Sequence, residues 1–212
     1  MLSSLAPSVR IAFSKQEWDS IEISLRNLSP HAVVAYVVSE ASGPCDRTES
    51  VRQSTAAHPA IAAGASVTVS PGGNGPISVR AALFDDGSWE GDPIAIAPLR
   101  AGMAAMAALR RQINEAAARI LSDPTLDDNT RIGRLRTAID AVPEKPAPAI
   151  IRKALAGLPV PRLSDTQQKI LESNLHNLKW SEAAGLNQFT PGRDLTLAQF
   201  WEITHAARSL TR

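Results

Sequence analysis

The sequence predicts an α+β chain in two parts: an antiparallel β-sandwich over residues 1–98, then an all-α region of about five helices over residues 99–212. Three observations lead there. Apolar side chains alternate with period two through the first half, which gives each strand one buried and one wet face. Close to Pro98 the period lengthens to about 3.6, the repeat of a helix. Turn signals such as Asn27-Leu28-Ser29-Pro30 and Asp86-Gly87 recur at the short spacing typical of sandwiches.

Val9, Ile11 and Phe13 fall on one side of a first strand over 8–13. Ile21, Ile23 and Leu25 do the same in a second over 19–28, until Pro30 stops the ladder. Ala32 to Val38 is apolar on both faces and reads as a central strand covered twice. Residues 41–64 show turns at Gly43-Pro44 and His58-Pro59 but no clear period. Short strands are expected over 66–70 and 77–84, joined by the glycine-rich stretch 71–76, with a last one over Ile94-Ala95-Ile96. The helices follow. One runs from Leu99 to Leu121 with Met103 and Met106 in its apolar stripe, a second over 128–142, and a third from Pro148 to Leu155. The fourth opens with the capping box Ser164-x-x-Gln167 and is expected to bury Ile170, Leu171, Leu175 and Leu178. The fifth opens with Thr196-x-x-Gln199, with Leu195 and Phe200 at hydrophobic-staple positions.

Composition sets bounds on function. The 212 residues are 44% hydrophobic and 20% charged, enough apolar content to fold. No run of 18 apolar residues exists, so no membrane span is expected. The N-terminus lacks the basic and apolar regions of a signal peptide. A periplasmic or secreted location is expected if a leader was removed earlier, and a cytoplasmic one otherwise. The single cysteine, Cys45, forbids an internal disulfide and reads as a bland loop residue. Net charge is +1, but residues 1–98 hold 6 basic against 10 acidic side chains, and residues 99–212 hold 16 against 11.

The densest chemistry lies in Asp85-Asp86-Gly87-Ser88-Trp89-Glu90-Gly91-Asp92. Asp85, Asp86, Glu90 and Asp92 are candidate metal ligands for calcium, which takes six to eight oxygens. A plain β-turn with Trp89 packed back on the sheet is the competing account. Glu202-x-x-His205 and the Glu172/His176 pair resemble halves of a di-iron motif, but the helical wheel puts these residues off the apolar arc and predicts solvated histidines. Gly72-Gly73-Asn74-Gly75 joins strands and opens no helix, so it cradles no phosphate. Arg131, Arg134 and Arg136, with Arg152 and Lys153, could meet nucleic acid. Their scatter around the helix instead suits side chains bordering a buried stripe. No catalytic constellation or cofactor motif is present. Asn27-Leu28-Ser29 fits a glycosylation triplet but is followed by Pro30.

Ile21 to Ser29 followed by Ala32 to Val38, and Ala82 to Asp92 further on, resemble the immunoglobulin-like sandwiches of bacterial extracytoplasmic proteins. The resemblance covers about residues 8–97 and implies a fold only, since both cysteines of the antibody inter-sheet disulfide are missing. The expected function is a non-enzymatic protein-interaction or assembly module whose partner is another protein. Two alternatives stand beside it: a calcium-dependent binding module or enzyme centred on the 85–92 loop, and nucleic-acid binding through the basic helical half.

Overall fold

The computed structural model describes residues 2–17, 20–41, 47–53, 59–70, 75–191 and 195–210, with backbone alone at 12–14, 16, 17, 20, 47–53 and 205–210. Cys45, His58 and Gly72 to Asn74 lie outside the described residues. The chain is α+β, with its strands N-terminal and its helices C-terminal. It divides into a unit that runs to Leu99 and a second over Arg100–Arg208.

Eight strands are described: β1 (Leu2–Ser4), β2 (Val9–Glu17), β3 (Ser20–Asn27), β4 (Val33–Ala41), β5 (Arg47–Gln53), β6 (Ser66–Val69), β7 (Ile77–Phe84) and β8 (Trp89–Gly91). The larger sheet runs β1-β7-β4-β5, with β8 also on β7; the smaller runs β2-β3-β6. Alternation decides which side chains go in. Val9, Ile23 and Leu25 of the small sheet join Tyr36, Val38, Ile77, Val79, Ala82 and Phe84 of the large one in a single core. Burial of each of the Val, Ile, Leu and Phe side chains among these is worth about 1.5–3 kcal/mol. Strand β4 is buried along both faces, Ala35 and Val37 as fully as Tyr36 and Val38, as its unbroken apolar run requires.

Three expectations are corrected here. The sheets are not wholly antiparallel, because β1 pairs parallel with β7 through Leu2–Ile77 and Ser4–Val79. It finds room there because β8 covers only Ala81 to Leu83 of the same edge. The stretch 47–53, read as having no period, is a strand paired to β4. And Ile94-Ala95-Ile96 is not a strand but the opening of α1 (Pro93–Leu121). In a helix those two isoleucines point to opposite sides, and accordingly Ile94 is 64% exposed and Ile96 fully buried. The helix expected from Leu99 thus starts earlier, with Pro93 at its first position and Pro98 inside it.

The second unit contains the rest of α1 together with α2 (Asp128–Ala141), α3 (Pro148–Leu155), α4 (Asp165–Gly185) and α5 (Leu197–Leu210). Leu109 and Ile113, Leu135 and Ile139, Leu175 and Leu178, and Leu197 and Trp201 are among its buried residues on four helices. Both predicted capping boxes form. Ser164 and Gln167 bond reciprocally, as do Thr196 and Gln199. The staple does not: Leu195 is exposed, and the Phe200 ring lies 5.3 Å from that of Phe189. Ile170 is also exposed, since the buried stripe of α4 runs through Leu171, Leu175, Leu178 and Glu182. Buried Lys179 on that helix donates to the Asp140 carbonyl at 2.9 Å, satisfying an end carbonyl of α2.

Asn27 is fully buried at the end of β3. Its amide donates to the His31 carbonyl at 2.7 Å and more weakly to those of Ile61 and Ala62, and its carbonyl oxygen accepts the Ser29 amide at 2.9 Å. That occupancy leaves the glycosylation triplet with a structural role. Asn27→Ala strands these buried groups and is expected to cost about 2–3 kcal/mol in urea denaturation; a loss within about 0.5 kcal/mol of wild type would refute the role given to this side chain.

Candidate functional site

Strands β4 and β7 are antiparallel neighbours, with Val33 facing Phe84. The residues just before β4 and just after β7 therefore emerge side by side. Asn27 shapes the first of these loops, and the Ser29 hydroxyl adds to it by accepting the His31 amide at 3.0 Å. The second loop is a tight turn. The Gly87 amide donates to Phe84, and Gly87 takes φ +84°, which glycine tolerates without strain. The Asp85 amide donates to the Ala32 carbonyl at 2.9 Å and pins the loops together.

His31, Asp85 and Asp86 meet on this platform. The imidazole Nδ1 lies 3.4 Å from Asp85 Oδ1, and Nε2 lies 3.3 Å from Asp86 Oδ2. One ligand atom from each residue falls within 4.8 Å of the others, and all three side chains are exposed. The second oxygen of Asp86, Oδ1, accepts the Ser88 hydroxyl at 2.6 Å and the Ser88 amide at 2.9 Å. Those two bonds, hydroxyl first, hold the Asp86 carboxyl below the usual aspartate range, and the nearby His31 adds to the effect.

The other two predicted ligands go elsewhere. Glu90 accepts the Ser8 amide at 2.7 Å and the Ser8 hydroxyl at 2.6 Å, which ties β8 to the turn before β2. Asp92 bonds the Arg80 guanidinium, and its other oxygen accepts the Ile94 amide at 2.8 Å. Its carbonyl accepts from Ala95 and Ile96, so Asp92 caps the start of α1. The four carboxylates thus form no single cage. Two reach the loop cluster and two hold the fold. His31, which the sequence did not single out, is the third member of the cluster; its only signal was its place before the strand that pairs with β7.

The remaining candidates are dispersed. His176 lies 3.0 Å from Glu144, which also stands 3.5 Å from Lys179. Glu202 is exposed, and the side chain of His205 lies outside the description. Arg131 bonds Asp128 and the Asp123 carbonyl, Arg136 bonds Asn187, and Arg134, Arg152 and Lys153 are exposed. No protein-family model, curated protein or solved structure matches the chain.

Asp92 yields a pH prediction. Burial works against its charge, but the Ile94 amide, the Arg80 guanidinium and the Ala95 amide outweigh that and hold the carboxyl below its ordinary value. A folded pKa below the unfolded one stabilises above the unfolded value, about 3.9, and the contribution disappears as pH falls through the folded value. Asp92→Ala is therefore expected to cost about 2 kcal/mol at pH 7. The gap between variant and wild-type melting temperatures should narrow below about pH 4; a gap independent of pH would show that the carboxylate charge contributes nothing.

Proposed function

We propose that this chain is a non-enzymatic protein-interaction module whose N-terminal unit is an immunoglobulin-like sandwich that binds its partner through the β3–β4 and β7–β8 loops. Strand order supports the fold. Lettered along the chain, β2, β3 and β6 take the places of strands A, B and E, while β8, β7, β4 and β5 take G, F, C and C′. The parallel pairing of β1 adds a short strand ahead of A.

In that arrangement the loops from B to C and from F to G share one end, the end that variable domains use for recognition. The observation that carries the proposal is what this chain displays there. Leu28, 45% exposed, sits in the same loop as His31, with Asp85 and Asp86 on the adjoining turn. An apolar side chain bordered by charge on loops held by backbone bonds suits a partner that offers a small apolar contact with a basic rim. His31, Asp85 and Asp86 all face water and are not shielded as an acid–base pair is shielded in an active site.

A photo-crosslinking residue at Leu28, compared with one at Ile94, which is also solvent-facing, tests this in the source cell. A discrete protein adduct from position 28 that disappears with Asp86→Arg is the expected result. Equal adducts from both positions, or none from position 28, would remove the proposal.

A further inference from the structure

We propose that a cavity in the helical unit, walled by α1, α3, α4 and the loop between α2 and α3, binds a small aromatic carboxylic acid. Its volume is about 150 Å³, and it opens to solvent on one side. Ala105, Ala108 and Leu109 of α1, Ile150 of α3 and Leu175 of α4 form its apolar wall. All of these but Ile150 are buried. Core side chains ordinarily interdigitate until few gaps larger than a water are left. Here α1 presents alanine at 105 and 108, and the space that larger side chains would fill remains as the cavity. An apolar cavity of about this volume takes a benzene ring.

Charge selects the rest of the ligand. Gln112 and Lys145 are the polar side chains of the lining, and Lys145 is its charged one. A cation beside an apolar hollow favours an anion with a hydrocarbon body. The Lys145 amine lies 4.0 Å from Glu172 Oε1, and its side chain is 80% exposed. So long a surface pair contributes little and yields to a carboxylate held at the rim. There the carboxylate keeps much of its water while the ring leaves it, which avoids the cost of burying charge. Gln112, also exposed, adds an amide able to donate to the same anion.

The loop side of the cavity is already held in place. Pro143 and Pro146 both line it, and each fixes its own φ. Between them, Glu144 lies 3.0 Å from His176 Nδ1 and 3.5 Å from Lys179 Nζ, both on α4. The loop is thus tied to one of the helices that wall the cavity, and a ligand finds the site formed instead of having to order it. These residues belong to the second unit and the protein-binding loops to the first, so the two proposals stand apart.

The test uses the full chain at neutral pH, with sodium benzoate as the probe and benzylamine and benzyl alcohol as its cationic and neutral counterparts. Calorimetry measures affinity, and isotope-filtered NMR records contacts between the benzoate ring protons and the methyl groups of the protein. Expected are one benzoate per chain with a Kd of about 1 mM or tighter, contacts to Leu109, Ile150 and Leu175, weaker binding of benzyl alcohol and none of benzylamine. Lys145→Gln should weaken benzoate about fivefold and leave benzyl alcohol unchanged, because only the charge is lost. Ala108→Leu should fill the cavity and abolish both. If Ala108→Leu fails to fold by circular dichroism, the methyl contacts and Lys145→Gln decide alone. No benzoate binding at about 10 mM, or contacts to other methyl groups only, would overturn the site. So would benzylamine binding as tightly as benzoate, or full benzoate affinity in Lys145→Gln or in folded Ala108→Leu.

Discussion

The antiparallel pairing of β4 with β7 underlies the rest of the first unit. Both strands are buried, so their backbone amides and carbonyls have only each other and their other neighbours as partners, and a slip of one residue would turn every apolar side chain over. The register Val33–Phe84 satisfies the ladder and sends Tyr36, Val38, Val79 and Ala82 into the shared core. It also determines where the flanking loops emerge, so the meeting of His31 with Asp85 and Asp86 follows from a packing requirement of the sheet.

Around this pair, polar groups do the work of holding ends. Asn27 ties down the segments around His31 and Ile61, Glu90 holds the turn before β2, and Asp92 both neutralises Arg80 and opens α1. Three of the carboxylates and amides that look reactive in the sequence are therefore structural. Gly91 belongs to the same joint: its φ is +100°, and a methyl group there would meet the Arg80 carbonyl at 2.2 Å. The chain can turn from strand into helix at this point only with glycine followed by the Asp92-Pro93 cap.

Strong local signals made much of this legible from the sequence. The alternation Ile21, Ile23, Leu25, the two-sided run of β4 and the capping boxes at Ser164 and Thr196 are each read within a few residues, and each is found. What escaped depends on partners distant in sequence. Strand β5 carries Thr48, Glu49 and Ser50 and owes its form to hydrogen bonds with β4. Ile94 and Ile96 fit a strand and a helix equally well over so short a span, and only the Asp92 cap decides between them. In the candidate site Asp85 and Asp86 were visible as neighbours. His31 was not, because nothing within its own loop indicates which strand will lie alongside β4.

Strand β8 is only three residues long, so half of one β7 edge would be bare were it not for Leu2, Ser3 and Ser4. Those residues act as a stopper. A chain without Leu2 to Ser4 would present open amides and carbonyls beside Ile77, Ser78 and Val79, an invitation for a strand from another molecule to slot in. Leu2 to Ser4, a strand too short to stand out in the sequence, thus help to keep that edge of β7 closed to other chains.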